Sequence, residues 1–441
     1  MSHSKKARLA IASLRQKLAT SSLLPHILAV VSGTAGAQAI VFAFSPLITR
    51  IYSPEVYGVQ GVFLSLISIF SPVAALRYPM AIVVANDAVS ASRIARLSVF
   101  IACVMASAAA LVLAFAQQPV LRVLGAEALG NLIWFLPVAL LAVTLNDVTD
   151  YSAARRNAFR KIGVVVTAQA FITNLARVLG GLVSPVAGIL VGITSVAPAV
   201  QALMLKILSG SKQCRQPRLS SSQNTAQLLY RHRDFPLYRA PTDVLDAIGQ
   251  TSPVLILSYL FTPAVAGLYV LARSVINLPL NVIGSAVGNV YYTHFAELAR
   301  KREKLFPAVL KATLIHFSLL GVPMLIVSAL FPALFAFVFG EEWRMSGVFA
   351  QWMTLWIVGM LSNIPGVRVL PVIGGQRVHL LFNGMIMMGG MAGLFYGHAI
   401  HGTPLSAVVW FSIGTAVIYG SQVFAYLWLV RRWDGDMMSA S

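Results

Sequence analysis

The sequence predicts an all-α, polytopic membrane protein of about twelve transmembrane helices in two pseudo-symmetric six-helix lobes. Composition is the first reason. Of 441 residues 58% are hydrophobic and only 11% charged, with a mean hydropathy of +0.78, whereas soluble domains carry about 25% charged residues. Pattern is the second. The apolar runs are long and continuous, as helices that need about 20 residues to cross a bilayer require, and unlike the ten-residue alternating segments of membrane barrels. The third is an internal repeat.

In chain order, residues 1–22 interleave Lys5, Lys6, Arg8, Arg15 and Lys17 with apolar side chains at helical spacing. That pattern suits an amphipathic helix on an anionic membrane face. The apolar run behind it is too long, and lacks the small-residue cleavage site, for a cleavable signal peptide. Twelve spans follow, near 25–50, 56–78, 94–116, 127–147, 162–181, 184–206, 241–261, 264–292, 306–328, 344–364, 377–398 and 404–430. The stretch "ALFPALFAFVF" at 329–339 is read as a short interfacial helix. A Ser/Gln/Arg-rich stretch from Ser209 to Ala240 reads as a linker. The expected organisation is therefore a cytoplasmic segment (1–22), an N-terminal lobe (23–207), a cytoplasmic linker (208–240), a C-terminal lobe (241–431) and a cytoplasmic tail (432–441).

The formal charge of +19 invites a nucleic-acid reading, but its placement excludes one. Basic residues cluster in the tails and in every second loop. Of 33, only Arg122 and Arg344 fall in the alternate loops, and Arg50, Arg177 and Arg273 lie in or at the edges of spans. This asymmetry places both termini in the cytoplasm by the positive-inside rule. The alternate loops are too short to hold a domain.

The repeat rests on two landmarks. "SPLITRIYSPEVYG" (45–58) returns as "SPVLILSYLFTPAVAG" (252–267), pairing Pro46 with Pro253, Pro54 with Pro263 and Gly58 with Gly267; Pro72 then pairs with Pro279. "FAQQPVLRVLGAE" (115–127) returns as "ALFPALFAFVFGEEW" (329–343). Six spans per copy leave both copies in one orientation, an arrangement found in transporters with a substrate site between the lobes.

Polar side chains inside spans are costly and usually face a bundle interior or a water-filled cavity. Three stripes occur at helical spacing: Arg273, Asn277, Asn281 and Ser285; Gln169, Thr173 and Arg177; and Thr34, Gln38, Ser45 and Thr49 with Arg50 beside them. They fit one cationic lumen, with Arg50, Arg177 and Arg273 as its charges. The alternative is that the amides join helices and the arginines reach for the interface. Asp147 and Asp150 close the fourth span, and Asp243 and Asp246 open the seventh. A helix N-terminus favours carboxylates, which accounts for Asp243; Asp246 lies deeper and is the candidate for ion coupling. His316 reads as an interior histidine with its partners in place. Cys103 and Cys214 offer neither a disulfide framework nor metal-ligand spacing. HExxH, Walker A and nucleophile-elbow motifs do not occur, so no catalytic or metal site is expected.

"SGTAGAQAIVFAFSPLITRIYSPEVYGVQGVFLSLISIFSPVAALRYPMAIVV" (32–84) and "TSPVLILSYLFTPAVAGLYVLARSVINLPLNVIGSAVGNVYYTHFAEL" (251–298) resemble the openings of the two lobes of O-antigen-type polysaccharide flippases. Those proteins belong to the multidrug/oligosaccharidyl-lipid/polysaccharide exporter superfamily. The similarity continues through "FGEEW" and "GGQRVHLLFN". The resemblance implies a MATE/flippase-like, V-shaped bundle in the bacterial inner membrane. It would pass undecaprenyl-diphosphate-linked oligosaccharide from the cytoplasmic to the periplasmic leaflet by alternating access, for O-antigen (lipopolysaccharide), capsule or exopolysaccharide synthesis. Implied partners are the lipid-linked oligosaccharide, membrane lipids, a polysaccharide polymerase and a chain-length regulator, without nucleic acid. No cofactor is implied, and proton or sodium coupling stays open. Guanidinium groups recognise phosphate well, so Arg50, Arg177 and Arg273 are the candidate diphosphate contacts, with Gln38, Asn277 and Asn281 as candidate donors and acceptors for sugar hydroxyls. Related sequences often follow "LRY" with an acid where this chain has Pro79 after Arg77 and Tyr78, so an ion pair made by that acid does not carry over. A multidrug exporter of the same superfamily would favour an acidic or aromatic cavity. A membrane-embedded polymerase or ligase would need a large outside loop.

Overall fold

A computed structural model describes residues 24–209 and 225–439. The segment expected over 1–22, residues 210–224 of the linker with Cys214, and the last two residues lie outside the described residues. Among the described residues eighteen α-helices follow one another. In the first lobe they are α1 (Leu24–Ile51), α2 (Pro54–Ala74), α3 (Tyr78–Val84), α4 (Ala88–Val123), α5 (Phe135–Arg155), α6 (Phe159–Val183) and α7 (Ala187–Ser209). After the linker helix α8 (Thr225–Arg231), the second lobe comprises α9 (Ala240–Leu260), α10 (Pro263–Ile276), α11 (Leu278–Arg300), α12 (Phe306–His316), α13 (Val322–Ser328), α14 (Phe331–Phe339), α15 (Arg344–Ser362), α16 (Ile364–Ile373), α17 (Gln376–His401) and α18 (Pro404–Ser439).

Ten helical segments among the described residues are long and apolar enough to cross a bilayer, rather than twelve. The two that fall short open the second lobe. α9 carries Asp243, Asp246 and Gln250, and the next pass is broken at Asn277 into α10 and α11. Both still pack into the bundle, against α2. Apolar side chains such as Phe100, Leu111, Leu182 and Phe424 are exposed on the outside. A soluble chain does not expose such a surface; hydrocarbon would solvate it.

Both repeat landmarks fold alike. Ser53 and Thr262 cap α2 and α10, each hydroxyl accepting from the N–H three residues on (3.4 Å in both), with Pro54 and Pro263 at the first helical position. In the second landmark, α4 is kinked at Ala116, three residues before Pro119. Gly125 then turns with positive φ into a 3₁₀ segment opening at Glu127. Its counterpart is α14, which stands apart as a helix of its own, then Gly340 with positive φ and a 3₁₀ turn opening at Glu341. Within the first lobe α1 lies on α6 and α5 on α7; within the second α17 lies on α18. The largest apolar cluster crosses the lobe boundary, joining Val62, Phe63 and Leu66 of α2 to Val254 and Leu257 of α9 and to Ala266 and Tyr269 of α10.

Candidate functional site

The site region is the seam along which α2 of the first lobe lies against α9 and α10 of the second. Glycines set its closest approach. A Cβ at Gly58 would fall 1.7 Å from the Pro263 carbonyl oxygen, and one at Gly267 2.0 Å from that of Pro54. Each helix therefore passes its counterpart backbone to backbone, at the residue that the repeat pairs with it. Call this the poor end of the bundle, and the end with the Arg- and Lys-rich loops the basic end. At the poor end Trp343, fully buried, donates its indole N–H to the Thr49 carbonyl (2.9 Å) and meets the Tyr57 ring edge to face at 5.5 Å. The exposed Arg50 donates to the carbonyl of Phe337 on α14 (3.2 Å). It thus spans the two lobes at the rim.

Behind Tyr57 lies a polar cluster inside the first lobe. The Arg177 guanidinium donates to Thr194 Oγ1 (3.3 Å), which also accepts from Gln60 Nε2 (3.0 Å), and the Tyr52 hydroxyl donates to the Arg177 carbonyl (2.9 Å). Arg177 Nε is buried without a hydrogen-bond partner, and Arg177 forms no salt bridge among the described residues. A half-buried guanidinium that lacks a carboxylate has the chemistry to receive an anion. One turn earlier on α6, Gln169 donates to Thr173 (2.9 Å).

The other candidates are dispersed. Arg273 is half-buried on α10 and donates to the Gln250 carbonyl, one residue beyond the carbonyl that Pro253 deprives of its helical donor. Asn277 sits at the break between α10 and α11, its backbone N–H bonded to the Arg273 carbonyl (3.1 Å). Gln38 is half-buried on α1. The side chains of Asn281 and Ser285 lie outside the described residues. Asp246 is exposed on α9. Arg50 and Arg177 are linked through Thr49, Trp343 and Tyr57, whereas Arg273 belongs to a separate place on the second lobe. His316 is buried, its two ring nitrogens facing the Leu361 carbonyl (3.2 Å) and the Tyr291 hydroxyl (3.4 Å).

Sequence reasoning missed the basic end of the seam. Leu76 and Arg77, between α2 and α3, both adopt left-handed backbone, which is uncommon outside glycine. Arg77 Nε lies 2.7 Å from Asp243 Oδ2 across the seam, and its Nη1 3.7 Å from Asp147 of its own lobe. Arg239 adds a second contact to Asp243, at 3.1 Å. Asp243 is thus an inter-lobe ion-pair acceptor rather than only a helix-terminal carboxylate. The i, i+3 spacing of the acids was visible; their shared partner Arg77, 70 residues from Asp147 and 166 from Asp243, was not.

Residues 47–347 match the family model described as "Polysaccharide biosynthesis protein". The chain belongs to this family. A curated relative, the succinoglycan biosynthesis transport protein ExoT of Rhizobium meliloti (strain 1021), is 24% identical over 412 residues, covering 91% of this chain and 78% of ExoT. Among solved structures, the lipid II flippase MurJ in an inward closed conformation superposes with a TM-score of 0.70 at 11% identity, covering 93% of this chain and 91% of MurJ. An inward-facing multidrug resistance MATE transporter of the MOP superfamily gives 0.66 at 12% identity, covering 94% and 99%. The two-lobed membrane fold expected from the sequence is the fold of these transporters. The protein is a polytopic membrane protein of the polysaccharide biosynthesis family with the fold of these transporters.

Proposed function

We propose that this family member flips undecaprenyl-diphosphate-linked oligosaccharide from the cytoplasmic to the periplasmic leaflet of the inner membrane by alternating access. The exported units would serve exopolysaccharide, capsule or O-antigen synthesis, with a polymerase and a chain-length regulator downstream. The basic end, with both termini, faces the cytoplasm. The observation that carries this reading is the Arg177 cluster: a half-buried guanidinium with its Nε buried and unpaired and no carboxylate partner among the described residues, beside Thr194, Gln60 and two tyrosines, inside a family concerned with polysaccharide synthesis. Such a group fits a diphosphate, and the amide and hydroxyls beside it fit a sugar. Arg50 and Arg273 are proposed as further anion contacts, Gln38, Asn277 and Asn281 as sugar contacts, and Asp246 as the coupling acid. Lipid tails would stay in the bilayer.

The test is deletion of the gene in its own host with analysis of lipid-linked oligosaccharide in each leaflet. Accumulation on the cytoplasmic leaflet, relieved by the wild-type gene and not by Arg177→Ala, is expected. Unchanged surface polysaccharide in the deletion strain, with no lipid-linked intermediate retained, would overturn the reading.

A further inference from the structure

The two ends of the α2–α9/α10 seam are built differently, and the difference concerns whether each end can come apart. At the poor end the contacts are backbone against backbone at Gly58 and Gly267, with Trp343 buried beside them. Among the described residues no salt bridge crosses the seam there, so a separation has no charged partner to exchange. At the basic end the contact is a four-charge chain, Asp147–Arg77–Asp243–Arg239, in which each side of the seam has one cation and one anion, Arg239 coming from the turn that enters α9. Arg77 and Asp147 belong to the first lobe, Asp243 to the second, and Arg239 to the turn that leads directly into α9. The central link crosses the seam; the two outer links do not. If the central link breaks, Arg77 keeps a carboxylate at hand in Asp147, and Asp243 keeps a guanidinium in Arg239. Removing one partner of a part-buried pair normally strands a charge at considerable cost; here neither charge is stranded.

Three further features fit a joint that divides. The guanidinium of Arg77 is delivered from left-handed backbone at residues 76 and 77, a turn that aims it across the seam instead of along α2. The neighbouring linker helix α8 is fastened to the first lobe: Leu228 is buried against Ala81, Ile82, Ala91 and Ile94, and the Tyr78 hydroxyl reaches the Leu229 carbonyl (3.5 Å). Between α8 and Asp243, residues Phe235–Arg239 form a π-helical turn, an irregularity common at functional sites. The second lobe therefore has a short irregular segment on which to pivot while α8 stays in place.

We propose that Arg77 is a positioning residue for transport, a latch that exchanges its partner between Asp243 and Asp147 as the seam closes and opens at the basic end. Its operation does not depend on which molecule is carried; only the transport arm of the test rests on the flippase reading.

The decisive variant is the charge swap Arg77→Asp with Asp243→Arg. It restores the central link with reversed polarity, so a pair that only supports the fold would be rescued by it. In the divided state, however, the swap sets Asp at 77 against Asp147 and Arg at 243 against Arg239, so each half repels itself and opening is opposed. Spin labels on cysteines placed at the exposed positions Val84 and Leu245, in full-length protein with Cys103 and Cys214 changed to serine and held in lipid nanodiscs, report the separation. Asp243→Asn is expected to lengthen the distance distribution relative to wild type. The swap is expected to keep it at its short limit while transport, measured as restored surface polysaccharide in the deletion strain, falls by at least about tenfold, the shift one added like-charge contact can impose on a two-state equilibrium. Wild-type distances and wild-type transport in the swap would overturn the latch, as would distances that none of the variants changes. Distances that move as expected in a protein whose wild-type form carries no lipid-linked oligosaccharide would support the latch and refute the flippase reading alone.

Discussion

Gly58→Ala offers a test in which structure and local propensity predict opposite signs. Alanine in a helix interior is favoured over glycine by about 0.5–1 kcal/mol, so a glycine that merely sits in a helix should gain stability when replaced. At Gly58 the added methyl would stand 1.7 Å from the Pro263 carbonyl oxygen and 2.5 Å from its carbon. Ordinary contact begins near 3.4 Å, and the obstacle is backbone, so no rotamer change clears it. α2 and α10 must separate locally by more than an ångström. Overpacking of that kind costs roughly 1–3 kcal/mol, which outweighs the helical gain and gives a net loss of about 1–2 kcal/mol. The internal control is Gly36→Ala, whose Cβ would meet only the Thr167 side chain at 3.5 Å; there the helical gain should stand. Thermal unfolding of the purified protein in one detergent should rank the variants Gly36→Ala at or above wild type and Gly58→Ala below it. Gly267→Ala should follow Gly58→Ala, since its Cβ would approach the Pro54 oxygen to 2.0 Å. A Gly58→Ala protein as stable as Gly36→Ala would refute the backbone crossing and with it the placement of the two lobes at this end.

Other expectations follow from single contacts. Arg177→Lys should retain part of the transport that Arg177→Ala loses, because charge survives while the fork of donors does not; equal loss in both, measured by surface polysaccharide, would remove charge from the role. Arg155→Ala should lower stability by about 1.5–3 kcal/mol, the worth of hydrogen bonds from a charged donor, because its guanidinium satisfies the carbonyls of Ile82, Val83 and Ala85 at the end of α3 (3.0, 3.1 and 2.6 Å); denaturant titration would detect it. Asp434→Ala should loosen the start of α12 by a similar amount, since both carboxylate oxygens accept backbone N–H groups there, from Leu305 (2.9 Å) and Phe306 (2.8 Å), and hydrogen exchange at those amides should quicken. Asp87, ahead of the α4 span, has its carboxyl held below the ordinary carboxylate range, chiefly by the Ser90 backbone N–H and then by the Ser90 hydroxyl. A depressed folded-state value means its capping contribution is present at neutral pH and fades as the pH falls through the acid range below its unfolded value; Asp87→Asn should abolish that pH dependence of local exchange at the start of α4.

The fold was legible because its determinants are local or periodic. Apolar run lengths gave the helices, and the pairing of Pro54 with Pro263 and Gly58 with Gly267 gave the two lobes, since a repeated turn needs the same cap, the same proline and the same absence of a side chain in both copies. What leaves two passes short of the apolarity of a span is equally local: the polar residues of α9 and the break at Asn277 make the second lobe's opening less apolar than the first's. Within the site, helical spacing placed Arg177 and Thr173 on one helix, as the structure does. It could not show that Arg273 turns to a carbonyl beside Pro253, or that Arg50 crosses to α14, because both partners come from other elements.

The largest gap was Arg77, and its cause is instructive. Charge counting along the chain treats a basic residue in a loop as topology, and a carboxylate at a helix start as a cap, and each assignment is satisfactory by itself. The two become one feature only when α2 and α9 are laid side by side, so that a cation from one lobe and an anion from the other fall within 2.7 Å. The same juxtaposition explains why the spare partners Asp147 and Arg239 matter: a single cross-seam pair would either hold or strand its charges, whereas four charges alternating in sign let the seam part with each side still neutral. A glycine crossing has no such second arrangement. The chemistry of the seam therefore assigns the basic end, and not the poor end, as the place where separation costs least.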